Sequence, residues 1–417
     1  MLLLRIILPL LVGASVSLTQ VSPVPAPNLA IDVTGPPYNA DKTGAINAAG
    51  PINSAISAAS DREVLFRCGT YTITSPLMLH NISNVRLHAE APGCATISYN
   101  SVAFSGFQIY ANRGETTQFI EIDGLRFDNA ARSDIRVAGR GSLYIGNNAK
   151  PGTSGIVSDV FVTRMSVART GTCGIVVADA SNVFLDAIRV EQSGEHGIYI
   201  SGAQRVYGSN IEIDNPCGQG GTIAGCAGLK IGTVLSGVVN VSNITVRAGS
   251  SPHVHAFLLQ NAAHMTVVEP RVVLGGPSQI GFRIQSNHAF INRPSVDGGI
   301  GYAGASAFFI DGGTDAVVNG GVITGAWRSS PVQLRTGANS PHIHGLTVES
   351  ILIGPTYAVL MTGPISPFLD DVRIMHAEYG VNLGTSEGTE LTNLVNNATR
   401  LKYKTTNARG YHITEER

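Results

Sequence analysis

Charge is what this sequence has least of. Asp, Glu, Lys and Arg make up 14% of its 417 residues, against roughly 25% in an ordinary soluble domain. The signs nearly cancel, at a net −1. A chain without a basic excess is a poor nucleic-acid binder, so no nucleic-acid partner is expected. Lysine is scarcer still: five residues against 23 Arg, with Lys230 alone between residues 151 and 401. Aromatics are 6%, with a single Trp, which disfavours an aromatic-rich β-propeller. Leu-rich helical runs are missing, which excludes a coiled coil. Beyond the N-terminus no apolar run reaches the roughly 18 residues of a membrane-spanning helix, so no stable membrane span is expected. The five cysteines include no Cys-x-x-Cys pair that would indicate zinc.

What abounds is glycine, 48 residues, together with Val, Ile, Ser, Thr and Asn, the composition of short strands and tight turns. The first stretch stands apart from this body. Arg5 precedes the apolar run Ile6 to Val12, followed by Gly13, Ala14, Ser15 and Ser17. That layout predicts a secretory signal peptide over residues 1–20 and a secreted or periplasmic protein. Pro23, Pro25 and Pro27 then mark an extended linker over 21–37.

From residue 174 a small residue followed by apolar–any–apolar recurs at Gly174, Gly197, Gly228, Ala256, Gly281, Ala307, Pro331, Ala358 and Gly380, about 26 residues apart on average. A fixed period of this size predicts a solenoid. Each repeat holds three short alternating runs, as in Ile198-Tyr-Ile200, Val206-Tyr207 and Ile211-Glu-Ile213. Three strands per coil is the pattern of a single-stranded parallel β-helix, here of about 12 coils over residues 64–398. Ile46, Ile52 and Ile56 predict an N-terminal capping helix within 38–63, its start interrupted by Gly50-Pro51. Residues 399–417 are expected to form a C-terminal cap or tail. Asn210 and Asn243 precede the third run and are expected to stack as an internal amide ladder.

Cys68 and Cys94 lie one repeat apart, and Cys217 and Cys226 flank a Gly-rich loop, so both pairs are candidate disulfides. Cys173 is left over as a small buried residue.

The stretch Asp41-Lys-Thr-Gly-Ala-Ile-Asn-Ala-Ala, then Ile56-Ser-Ala-Ala, Val64-Leu-Phe, Gly69-Thr-Tyr, Ile73, Ser75-Pro-Leu, Leu79 and Asn84-Val-Arg-Leu resembles the opening of the pectate-lyase-like superfamily. The acidic run usual at that helix start is reduced to Asp41, and Gly50-Pro51 is a departure. The resemblance spans about 60 residues. It implies a secreted right-handed parallel β-helix and a polysaccharide substrate, shared by lyases, hydrolases and epimerases alike.

Outward residues of the first strand should stack into a column: Val176, Tyr199, Lys230, Leu258, Arg283, Phe309, Gln333, Leu360 and Asn382. Its polar and aromatic middle, beside the Cys217–Cys226 loop, is the expected site. β-Elimination from a uronate needs a base, a cation to offset the developing charge and an acid for the leaving oxygen. The expected catalytic set is Lys230 or His196 as base, Arg283 as cation and Tyr199 as donor. Glu195 would orient His196, or act as an acid with Asp214 in a hydrolase. His255, in the column of His196 with Ala227 between them, Asp214 and Phe309 are expected to contact substrate. The hydrolase motif Asn-Thr-Asp of this superfamily is absent, and Glu195-His196-Gly197 is only loosely similar to its Gly-His-Gly. No cofactor is required by this chemistry; calcium is the one candidate, through Asp214. The pairs His253/His255 and His342/His344 should lie on different faces, which argues against a histidine metal site. The expected partner is an acidic polysaccharide, and nothing in the sequence sets an oligomeric state.

Overall fold

The computed structural model of the chain describes residues 30–132, 139–147, 155–218, 225–354, 356–405 and 407–415. The expected signal peptide and most of the expected linker lie outside them. Thirteen short strands, one per coil from Leu77–His80 to Leu401–Lys404, form a continuous sheet of first strands. The second and third strands of every coil make up the other sheet, and every pairing in register is parallel. The architecture is a parallel β-helix, all-β apart from one helix among the described residues. At the interstrand spacing its thirteen coils extend about 58 Å.

The recurring small residue has a steric cause. A Cβ on Gly197 would lie 2.6 Å from the Ile213 side chain and 2.7 Å from the Gly228 carbonyl oxygen. Gly174 meets Val190 at 2.8 Å, and Gly228 meets Val246 at 2.5 Å, in the same way. At these three coils the residue that opens the first strand therefore faces the third strand's inward aliphatic side chain, with no space for a Cβ. Along the axis the interior stacks like on like. Phe257, Phe282 and Phe308 lie fully buried with ring centroids 4.6 and 5.1 Å apart.

The bend between second and third strands is made by one residue of positive φ per coil: Arg164, Ala187, Asn210, Asn243, Glu269, Arg293, Gly320, Gly345, Asp371 and Asn393, all between 50° and 67°. Gly, Asn and Asp accept this conformation; Arg, Ala and Glu are strained in it. Asn210 and Asn243 do form the expected ladder, Asn243 Nδ2 donating to Asn210 Oδ1 at 2.7 Å, but it is exposed at this bend rather than internal. A single-residue bend turns its side chain out to solvent.

The boundaries differ from expectation at both ends. Ile31–Asp32 already pairs with Glu63–Phe66, so the linker's end belongs to the sheet. The helix is Ala49–Ser57, with Ile52 and Ile56 buried. Pro51 falls in its first turn, where no intrahelical N–H is needed. Ile46 precedes the helix in the strand Thr43–Asn47 and is exposed, not part of its apolar face. Leu401–Lys404 and His412–Glu415 pair with the preceding coil, so the expected tail is a further coil of the solenoid.

Both expected disulfides are formed, Cys68–Cys94 between neighbouring coils and Cys217–Cys226 across the loop. Cys173 takes part in neither disulfide and is buried. No helix among the described residues is long and apolar enough to cross a membrane.

Candidate functional site

The first-strand register follows the expected column pair by pair: Val176, Tyr199, Lys230, Leu258, Arg283, Phe309, Gln333, Leu360 and Asn382. Parallel pairing without a register slip stacks these side chains at one coil spacing. The column is not uniformly open. Val176 and Leu258 are buried on the outer face, whereas Tyr199, Lys230, Arg283 and Phe309 are part-exposed.

Two cation–aromatic groups occupy the open part. Lys230 Nζ lies 5.0 Å from the Tyr199 ring centroid. Phe309 is flanked by two guanidinium groups, Arg283 at 5.8 Å and Arg335 at 5.3 Å. Such placement holds the cations against the sheet while leaving their charge to a ligand. A second outward row supports them. Gln260 Nε2 donates to Gln285 Oε1 at 2.6 Å, and Gln285 Nε2 donates to Asp311 Oδ2 at 3.1 Å. Asp311 also accepts from Arg283, at 2.7 Å from Nη2 and 3.2 Å from Nε. Arg335 donates to Gln333 Oε1 at 2.8 Å and Thr362 Oγ1 at 3.1 Å. Arg335, Asp311 and Gln285 were missed by sequence reasoning. They stand two residues beyond the column, where the same two-residue alternation would have found them.

Glu195 and His196, expected in the catalytic set, are buried, at 4% and 2% exposure. His196 Nδ1 accepts the Ala227 N–H at 3.0 Å, which places the ring proton on Nε2, 3.7 Å from Glu195 Oε1. The nitrogen that would take a substrate proton is thereby occupied. Glu195 Oε2 stands 3.9 Å from the Cys173 sulfur, and its carbonyl oxygen lies 3.7 Å from Cys217 Sγ. This places the disulfide against the turn. Glu195 Oε1 therefore lies beside the His196 ring within the packed edge of the site.

His255 is likewise buried, at 5% exposure. Burial, then the charges of Arg283, His253 and Lys230, push its pKa down to about 4. Asp214 does not join this group. It ends a strand of the other sheet and pairs with Arg247 Nη1 at 2.7 Å, with Arg189 Nη2 at 3.9 Å. Opposite charges stacked in ladder positions make an ion-pair row. His342 and His344 also lie in the other sheet, away from His255, as their spacing predicted. Among the described residues no three His, Cys, Asp or Glu side chains are grouped to hold a metal ion.

An open depression of about 360 Å³ near the N-terminal end is lined by Thr72, Ser98, Tyr99, Asn100, Ser101 and Phe104. It contains none of the expected residues and no charged group.

No family model and no curated protein matches this sequence. Solved structures do match in fold. Two mannuronan C-5 epimerase A-modules of Azotobacter vinelandii superpose with TM-scores of 0.59 and 0.61 at 15% identity, covering 84% and 86% of this chain and 97% and 98% of theirs. The catalytic unit of an α-1,3-glucanase from Streptomyces thermodiastaticus gives 0.52 at 14% identity, over 93% of this chain and 69% of its own. At such identity the likeness is one of fold, and it agrees with the parallel β-helix.

Proposed function

We propose that this chain is an exported enzyme acting on an acidic, uronate-containing polysaccharide, and that it cleaves by β-elimination. The supporting observation is the file of Lys230, Arg283 and Arg335 on one sheet face, interleaved with Tyr199 and Phe309. Aromatic rings and cations in alternation complement a chain of sugars that carry carboxylates. Export is supported by two disulfides, which persist in oxidising compartments, and by the signal-like N-terminus.

In this reading the uronate carboxylate is offset by Arg283, which lowers the cost of charge developing at the adjacent carbon. Lys230, after releasing its own proton to solvent, takes the proton from that carbon as the neutral amine. The C–H electron pair becomes the new C=C bond, and the bond to the leaving oxygen breaks with its electrons. Tyr199 donates the proton which that oxygen needs. His196, with Nδ1 committed to Ala227, is a positioning residue in this scheme. A hydrolase would need two carboxylates facing one bond across roughly 5–10 Å. Asp214 is engaged by arginines of the other sheet and Glu195 is buried, so the candidate residues present no such pair.

Epimerisation is the second reading, favoured by the fold likeness to the mannuronan epimerase modules. It shares the proton removal and returns a proton to the opposite face. A panel of uronate polysaccharides separates the readings. A lyase yields unsaturated, ultraviolet-absorbing ends together with reducing ends, and a hydrolase yields reducing ends alone. An epimerase yields neither but incorporates deuterium from solvent. Binding without any of these supports a carbohydrate-binding scaffold and overturns the enzymatic reading.

A further inference from the structure

His255 and His196 occupy one column of the first-strand sheet, with Ala227 between them. The two rings are treated differently. His196 Nδ1 receives a backbone N–H, whereas His255 Nδ1 is buried without a hydrogen-bond partner. A buried polar atom left unpaired costs free energy and calls for an explanation, of which a ligand site is one.

The surroundings of His255 are cationic. Its own strand, His255–Gln260, lies between the strand that carries Lys230 and the strand that carries Arg283. His253 is two residues before it. Burial acts first on the ring, and Arg283, His253 and Lys230 are the charged or titratable groups that add to it. Asp311 takes up part of the Arg283 charge through Nε and Nη2. Leu258 separates Lys230 from Arg283 in the column, so the two backbones stand two coils, or about 10 Å, apart.

We infer that Lys230, His255 and Arg283 form a carboxylate-binding subsite, in which an anion and a proton on His255 are taken up together. This rests on the reading of the ligand as an acidic glycan. The free site repels a proton because two cations and burial act against it. A bound carboxylate supplies the missing negative charge, so His255 becomes easier to protonate. By linkage, protons then favour the anion in return: affinity rises as pH falls from about 7.5 towards 5. One coupled proton permits at most about a tenfold change in affinity per pH unit. A neutral sugar in the same place would show no such dependence.

The test is calorimetry of the full chain with oligogalacturonate at pH 6 in two buffers of different ionisation enthalpy. It is paired with NMR titration of the His255 ring in the presence and absence of acetate. Expected are net proton uptake on glycan binding, affinity roughly tenfold tighter at pH 5.5 than at 7.5, and an upward shift of the His255 titration with acetate. His255→Gln, which also identifies the ring signal, should still bind glycan but without proton uptake; His255→Asn serves if that variant does not fold. Glycan binding by the wild type without proton uptake overturns the subsite, as does unchanged uptake in the variant. If acetate shifts His255 but no uronate oligomer binds, the subsite stands and the acidic-glycan reading falls. If neither ligand has an effect, both fall.

Discussion

The imidazole of His196 is tied to the next coil by a hydrogen bond, from the Ala227 N–H to Nδ1 at 3.0 Å. The interaction joins two consecutive turns of the solenoid at the start of the strand that carries Lys230. A residue that the sequence offers as a candidate base is thus a buried clasp.

His196→Ala leaves the Ala227 N–H buried without an acceptor, an expected loss of about 1–3 kcal/mol. His196→Asn puts an amide oxygen near the place of Nδ1 and should recover most of it. Urea unfolding of the two variants checks this; equal stability of both would remove the clasp. If Lys230 is the base, His196→Asn also keeps its activity on uronate glycans.

Lys230→Ala and Arg283→Ala are expected to lower kcat/KM on a uronate polysaccharide by at least about a hundredfold, in the range that one acid–base group contributes. The melting temperature should stay within a few degrees, because both side chains are part-exposed. Full activity in both folded variants would move the site elsewhere on the solenoid.

Arg335→Ala should weaken glycan binding more than turnover, since Arg335 sits beyond Phe309 from the proposed base. Steady-state kinetics would show a higher KM at nearly constant kcat. A kcat loss with unchanged KM is the contrary result.

Ala187 is an exposed residue at φ 52°. Ala187→Gly should stabilise the protein by about 1 kcal/mol, and Gly345→Ala, at the equivalent bend, should destabilise it by a similar amount. Gly197→Ala is a different case: its Cβ would press on Ile213 and the Gly228 carbonyl, an overpacking cost of about 1–3 kcal/mol or more. Denaturant midpoints of the three variants test the ordering.

Asp123 is buried and held by Arg164 and Arg86, whose charges outweigh the effect of burial and keep its carboxyl below the usual range. A depressed carboxylate contributes stability that is complete above its unfolded value, near 3.9, and is lost as pH falls through the lower folded one. Asp123→Asn should therefore flatten the acid limb of the stability curve and cost about 2–4 kcal/mol at neutral pH. An acid limb identical to that of the wild type would assign the effect to other carboxylates.

Sequence alone determined the solenoid, its period, the first-strand column and the disulfide pairs. A parallel β-helix repeats one local pattern, and Gly197 or Lys230 differs from its neighbours in ways that alternation exposes. The same logic located Tyr199, Lys230, Arg283 and Phe309 on one face. Tertiary structure decided what lies between coils. The third strand's Ile213 made Gly197 obligatory, and Ala227 claimed His196 from 31 residues away. Arg247 engaged Asp214 in an ion pair on the other sheet, and Arg335 joined Phe309. Hydrogen bonds and charges act through a few ångströms of space, and in a solenoid those ångströms separate residues that are a whole coil apart in sequence. Burial followed the same rule: Glu195, His196 and His255 read as site residues, and the packing of adjacent turns enclosed them.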